Sequence, residues 1–359
     1  MEASLCLGKV VRLKNKIAIT GGSGFVGRSL TRYLAVDFDV KVIDIERPPS
    51  LPDGADFEQC DVRDYPAVSK SMRDADLAIH AAIIQIPQIN QQRALAYEVN
   101  ISGTQNVCKV VAESERTKGM ILASSWHSVG ERGIAGTLDE SIGYRPDKVE
   151  PRARLYALSK IAQEVIVRFY DESSPKTYGI VRMGTVLGDD MPRETAASLF
   201  LDQALTGRPI TPYLHSMNRP MLFVDVDDIC TAYKLLCKRM LGGKGISADS
   251  FAHIFNVFYP QPFTVLDLAQ IVRDSVERVS GGQLSPKIEL IDGGLPAQFE
   301  VGDKDRITVD TSKLQNAIGM SATISAKESI ERIARVRFAR LKKDEKVHPS
   351  TEDPSMDAA

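Results

Sequence analysis

One short stretch constrains the fold of this chain more than any other. Residues 17 to 27 read IAITGGSGFVG, where an apolar run meets Gly21, Gly24 and Gly27 at intervals of three and residues with helical spacing follow. In a strand, turn and helix built this way, Gly21 permits the tight turn, Gly24 lets backbone N–H groups approach a pyrophosphate, and Gly27 lets the helix pack closely on the strand. The positive end of the helix supplies the electrostatics. Phe25 and Val26, in the same turn, are read with the glycines as cofactor-binding.

Glycines also mark ordinary turns, so the confirming sign is an acid about 20 residues on, at the end of the next strand. Asp44 ends VKVID and satisfies it. A carboxylate there accepts hydrogen bonds from the adenosine ribose hydroxyls and repels a 2′-phosphate, which favours NAD over NADP. Arg47 is the neighbouring group that argues the other way.

The rest of the chain agrees with this start. Segments 17–20, 40–43, 56–60, 76–81, 119–123 and 178–183 read as strands, and stretches 25–36, 65–73, 91–114 and 153–172 have helical spacing. Strand alternating with helix predicts an α/β fold with a doubly wound, Rossmann-type parallel sheet. After Met183 the pattern loosens, with a helix expected near 195–206, strands at 221–225 and 253–257, and helices near 226–239 and 263–279. The expected organisation is an N-terminal extension at 1–15, an NAD-binding domain at 16–183 to which 221–257 returns, a smaller C-terminal substrate-binding lobe at 184–220 and 258–341, and a disordered tail at 342–359.

Composition narrows the partners. With 45 Lys plus Arg against 47 Asp plus Glu there is no basic excess to neutralise nucleic-acid phosphates, so no nucleic-acid partner is expected. The five cysteines are scattered and form no CxxC pair, which suggests a reducing compartment, no disulfide framework and no metal site. No apolar run reaches the roughly 18 residues a membrane span needs, and the N-terminus lacks a signal-peptide pattern. A cytoplasmic protein with a small-molecule substrate and no membrane partner is expected. The basic stretch RIARVRFARLKK at 332–343 reads as a solvated helix face.

Tyr156 and Lys160, in RLYALSKIAQEV, stand at i and i+4 on a predicted helix, so both side chains leave on one face. A phenol of pKa about 10 is a poor base at neutral pH, but a nearby ammonium stabilises the phenolate and is expected to lower that pKa. Tyr156 can then take a hydroxyl proton as hydride leaves, and return it in the reverse step. The pair follows the strand ending ILASSWHSVG, and ligands of open α/β sheets bind outside the carboxyl ends of strands. Ser125 is placed there to hydrogen-bond the same substrate oxygen, with Ser124 the more structural of the two serines. His127 lies close enough to contact substrate or assist proton transfer. Arg219 could grip a phosphate or carboxylate, or lie on the surface.

Taken in order, TGGSGFVG, Asp44, CDVRD, HAA, VNISGTQNV, SS, YALSK and VRMGTVLG resemble the extended short-chain dehydrogenase/reductase family, in its NAD-dependent epimerase/dehydratase branch. The resemblance spans about residues 16 to 335. It implies that Asp61 and Val62 flank the adenine, that Ala81 and Ala82 line the cofactor groove, and that Asn100, grouped with the cofactor-binding residues, steadies the active-site helix. It also implies that Lys160 holds the nicotinamide ribose and that long helices pair into a homodimer. Departures bear on substrate. Thr185 stands where nucleotide-sugar enzymes usually carry Asn, Val129 replaces a Tyr, and Trp126 and His127 replace the acidic dyad of dehydratases. The expected substrate-binding residues are Ser125, His127, Thr185 and Arg219. The expected function is a nucleotide-sugar epimerase working through a keto intermediate. The alternatives are a net dehydrogenase of a free sugar acid or a hydroxysteroid, and, in another class, a noncatalytic NAD-binding scaffold, against which the intact Tyr-Lys pair argues.

Overall fold

A computed structural model describes residues 14–243, 246 and 253–347. Residues 1–13 and 348–359 lie outside the described part, so the expectations of an N-terminal extension and of the tail's end are not addressed there. Seven strands form the central sheet: β1 (Lys16–Thr20), β2 (Asp39–Asp44), β3 (Ala55–Gln59), β4 (Leu77–His80), β5 (Gly119–Ser125), β6 (Thr177–Met183) and β7 (Ile254–Val257). Their order is β7-β6-β5-β4-β1-β2-β3, and every pairing is parallel. The longer helices are α1 (Phe25–Leu34), α2 (Tyr65–Met72), α3 (Gly103–Glu113), α4 (Arg154–Ser173), α5 (Ala196–Leu205), α6 (Val226–Leu241), α7 (Val265–Val279) and α8 (Ala326–Val347).

Ile17, Ala18 and Ile19 are all fully buried, as a parallel sheet covered on both faces requires. Ile17 and Ile19 pack with Leu30 and Leu34 of α1 and Tyr233 of α6. Ala18 faces the other way, toward Val68 of α2, Val107 of α3 and Val167 of α4. The strand order reverses between β1 and β4, and at such a switch point the loops diverge and leave a crevice.

Four expectations need correction. The helix expected over 91–114 is broken: Gln92, with φ −121° and ψ 60°, interrupts it, and Glu98–Ser102 winds as a wider π turn before α3 begins. Residues 221–225 do not return to the central sheet. Phe223–Asp225 pairs instead with Thr185–Leu187, and Pro220–Met221 with Phe263–Thr264, while α6 packs on α1 and β7 edges the sheet. The chain also stays helical past 342, to Val347, because LKKDEK contains no helix breaker. Within α8 the basic stretch is docked: Ile333 and Ala334 are buried with Phe200 and Leu268 of the lobe, Arg337 pairs with Asp202, and Arg332 with Asp225 and Asp227.

Candidate active site

A cavity of about 1870 Å³ runs from the glycine turn, past the carboxyl ends of β2, β4 and β5, to α5 and the segments around residues 211–216 and 291–298. Its first wall is backbone. Gly21 sits at φ +71°, and a Cβ there would stand 2.4 Å from the Ala82 nitrogen. Gly27 presses equally close, since a Cβ on it would lie 2.3 Å from the Gly21 oxygen. Gly24 is the N-cap of α1 and offers no side-chain cap, and the first turn carries no acid. The free N–H groups at Phe25, Val26 and Gly27 therefore meet the cavity as a helix N-terminus suited to a pyrophosphate.

Asp44 ends β2 and accepts a hydrogen bond from the Ser23 N–H at 2.9 Å. Among the described residues no cation pairs with it, and Arg47 stacks over the Phe57 ring, 5.5 Å from its centroid. Asp61 is gripped by the forked Arg63 guanidinium, which holds its carboxyl below the usual range, and Arg63 also reaches Glu98. Val62 is buried against the start of α3, where a side chain on Gly103 would stand 2.6 Å from it. Ala81 and Ala82 line the groove behind β4. These features fit a dinucleotide. Asn100 is different. It is fully buried, exchanges hydrogen bonds with the Ile84 backbone at 2.7 and 3.1 Å, and donates to the Ser159 hydroxyl at 3.2 Å. It thereby ties the segment after β4 to α4, so its place in the structure is that of a positioning residue beneath the cavity rather than of a cofactor contact.

Ser125, Tyr156 and Lys160 come together on the cavity wall, Ser125 from the end of β5 and the other two from the first turns of α4. Burial raises the pKa of the Tyr156 phenol, and the nearby Ser125 side chain opposes it. Lys160 is 3% exposed and donates to the Ala123 carbonyl at 2.6 Å. Its ammonium lies 5.9 Å from the Tyr156 ring centroid. The expectation that it lowers the phenol's pKa is not met: burial pushes Tyr156 up to about 12 and Lys160 down to about 7. Each charged form loses hydration in the closed pocket, and the lysine's attention is divided with a backbone carbonyl and, at longer range, Glu164. Ser124 turns the other way, donating to Glu164, which also binds Arg182 through a buried bidentate pair.

Beyond Ser125 the wall is ionic. The His127 Nδ1 lies 3.1 Å from the Ser125 hydroxyl, and its Nε2 lies 3.4 Å from a carboxylate oxygen of Glu131. Arg219 is not on the surface: it lines the cavity, buried between Glu150 at 2.8 Å and Glu131 at 3.6 Å, with its Nε unpartnered among the described residues. Glu150 in turn pairs with Arg152 at 2.7 Å. Thr185 lines the cavity with its backbone fixed to the Leu222 carbonyl. Glu131 and Glu150 were not legible beforehand, since their only local sign is that Glu131 follows His127 by four residues. Among the described residues no cluster could hold a metal ion, and no helix is long and apolar enough to cross a membrane.

A parallel sheet in this strand order, a glycine-turn nucleotide site and a serine, tyrosine and lysine on one wall are the pattern of the extended short-chain dehydrogenase/reductase type. The pattern of the NAD-dependent epimerase/dehydratase family matches residues 17–249, and the chain belongs to that family. It is 40% identical over 113 residues to an uncharacterized protein of Mycobacterium tuberculosis, a match covering 31% of this chain but only 12% of that longer protein. It is also 30% identical over 185 residues to the L-arabinose 1-dehydrogenase (NAD(P)(+)) of Haloferax volcanii, covering 50% of this chain and 70% of the relative. Among solved structures, the Thermus thermophilus UDP-glucose 4-epimerase in complex with NAD superimposes with a TM-score of 0.71 at 22% identity, over 90% of this chain and 99% of the other.

Proposed function

We propose that this enzyme epimerises a nucleotide sugar through a keto intermediate. The observation that carries the reading is the cavity itself, whose volume of about 1870 Å³ exceeds the roughly 300–1,000 Å³ of a site for one small ligand and continues past Tyr156 into the lobe. Its lining there is mixed, with Gln203, Thr211, His215 and Gln298 beside Leu199, Phe200 and Tyr213, which suits a sugar joined to a base better than a sterol.

NAD, held by the glycine turn, Asp44, Asp61, Val62, Ala81 and Ala82, supplies a hydride acceptor and donor. Ser125 holds the reacting oxygen. Tyr156 removes the hydroxyl proton as the carbon–hydrogen bond is lost, and gives it back to the keto oxygen once the sugar has turned its other face. Burial favours the neutral phenol, so the resting side chain is set for the returning step, and the phenolate needed for the first step draws on a protonated Lys160. His127 and Thr185 contact the sugar. The enzyme works in the cytoplasm as a homodimer, a reading supported by Leu155, Leu158, Val165 and Phe169, which form one exposed apolar stripe on α4.

One observation favours a second reading, net oxidation of a free sugar. Arg219 is already matched by Glu131 and Glu150, so it offers no spare positive charge to a diphosphate. Incubation with UDP-glucose, UDP-glucuronic acid, D-glucuronate and L-arabinose decides between them. Interconversion of a nucleotide sugar without accumulating NADH supports the epimerase. Steady NADH formation on a free sugar, with no nucleotide-sugar turnover, replaces it with the dehydrogenase.

A further inference from the structure

Among the described residues lining the reacting end of the cavity, every cation is already opposed by an acid or committed elsewhere. Arg219 lies between Glu150 at 2.8 Å and Glu131 at 3.6 Å, and its unpartnered Nε is itself buried. Arg152 donates from its Nε to the same Glu150 oxygen, Oε2, at 2.7 Å, and the rest of its guanidinium has no hydrogen-bond partner among the described residues. Lys160 donates to the Ala123 carbonyl at 2.6 Å and serves Tyr156. Against these cations stand Glu131, Glu150 and, on the lobe wall, Glu194. Glu131 is 1% exposed and Glu150 6%, so water does little to weaken either charge. Glu131, Glu150, Arg152 and Arg219 all act on the His127 ring, whose Nδ1 is 3.1 Å from Ser125 Oγ, so they border the reacting centre. Burial holds that ring below its ordinary pKa, and at neutral pH it adds no positive charge. The segment after β4 supplies amides to the same cavity, from Gln85, Gln88, Asn90, Gln91 and Gln92, and Asn90 is tied to the Arg152 carbonyl at 2.8 Å.

We propose that the reacting ring of the substrate is an uncharged sugar, that Glu150 and Arg152 read a pair of neighbouring hydroxyls on it, and that the site rejects sugar acids. The inference rests on the reading of the cavity as a site for a sugar at Ser125 and Tyr156. Glu150 Oε1 accepts no hydrogen bond from a described residue, so it is open to a hydroxyl donor, and the Nη groups of Arg152 can donate to the next oxygen. Each hydroxyl of a vicinal pair both donates and accepts, so the pair meets both side chains. A carboxylate only accepts. It would also set one more negative charge beside Glu131 and Glu150, with no unopposed cation to receive it. Like charges brought together in this way let a site refuse a ligand of nearly the same shape. A nucleotide, where the substrate carries one, would lie beyond these groups in the lobe.

Matched substrates test it on the full chain with NAD: UDP-glucose against UDP-glucuronic acid, and D-glucose and L-arabinose against D-glucuronate. In whichever set is turned over, kcat/KM should favour the neutral sugar by at least about tenfold. Glu150→Gln removes one of the two buried charges and leaves Arg152 and Arg219 less opposed. It should lower kcat/KM on the neutral sugar and raise it on the acid, so that the preference shrinks by at least about tenfold or inverts. NAD binding by calorimetry checks that the variant is folded. Should it fail that check, Arg152→Ala, at a side chain 58% exposed, takes its place and should cost the neutral sugar about five- to tenfold in kcat/KM. An acid used as well as its neutral counterpart by the unmodified chain overturns the proposal. So does a neutral preference that Glu150→Gln leaves unchanged, or, where Arg152→Ala stands in, an unchanged rate on the neutral sugar. No turnover of any of these sugars overturns instead the sugar reading on which the proposal rests.

Discussion

The two ends of the cavity are built from different materials. At the nucleotide end, recognition is backbone geometry plus a carboxylate that has no cationic partner among the described residues: Gly21 at φ +71°, the uncapped start of α1, and Asp44. At the substrate end it is side chains already matched to one another, in the chain Ser125, His127, Glu131, Arg219, Glu150 and Arg152. The first end is preorganised by what the backbone cannot do otherwise. The second is preorganised by charges that hold each other in place, which makes it stiff toward substrate and poor in spare charge. If this contrast is right, substitutions at one end should leave the other's function standing.

The largest expected separation is at Tyr156. Tyr156→Phe removes the proton carrier and should lower kcat by ~10²–10⁴-fold. NAD affinity, measured by calorimetry, should stay within about threefold, since removing one hydroxyl touches no group of the glycine turn. A parallel collapse of NAD binding would show that the two ends are one unit.

Lys160 should separate function from stability. Its pKa of about 7 lies below the value of about 10.4 for free lysine, so the unfolded chain holds the extra proton between those limits. Stability should therefore rise as pH climbs from 7 toward 10, and the burial cost is greatest at and below pH 7. Lys160→Met should abolish most activity yet raise stability by on the order of 2–3 kcal/mol at pH 6, after allowing for the lost bond to the Ala123 carbonyl. That gain should shrink with rising pH in denaturant titrations. An unchanged or lower stability at pH 6 would mean that the buried ammonium is better compensated than its surroundings indicate.

The contrast also explains what could be read beforehand. The glycine turn, Asp44 and the Tyr156–Lys160 pair are local patterns whose spacing the secondary structure converts directly into geometry, and β1, α1 and β2 lie where their apolar periods place them. Glu150 and Arg219 are 69 residues apart in sequence, so no spacing rule joins them, and only tertiary folding brings their charges together. The break in the helix expected over 91–114 escaped for a related reason: a π turn needs no breaker residue, and here the buried Asn100 amide, bonded to Ile84 and Ser159, accompanies it. The lowering of the Tyr156 pKa by Lys160 was expected from their spacing alone, and burial reversed it.

Asp44 tests the nucleotide end directly. Asp44→Ala removes an acceptor of charge-assisted bonds, each worth about 1.5–3 kcal/mol, and should weaken NAD by roughly 10- to 100-fold while changing NADP only slightly. Equal losses for both cofactors would show that the carboxylate supports the Ser23 turn rather than the ribose.

The smallest effect is expected at Arg47, and it sharpens the same point. By position in the sequence Arg47 is the residue that could turn the site toward NADP by pairing a 2′-phosphate. In the structure it lies over Phe57 instead, exposed to solvent, with its guanidinium carbon 5.5 Å from the ring centroid. An exposed cation–π contact is worth about 0.5–1 kcal/mol, so Arg47→Ala should cost that much stability in urea titrations. The ratio of NAD to NADP affinity should move by less than about twofold. A larger shift toward NAD would mean that Arg47 leaves Phe57 when a 2′-phosphate is offered, and the nucleotide end would then owe part of its selectivity to a mobile side chain rather than to the fixed carboxylate of Asp44.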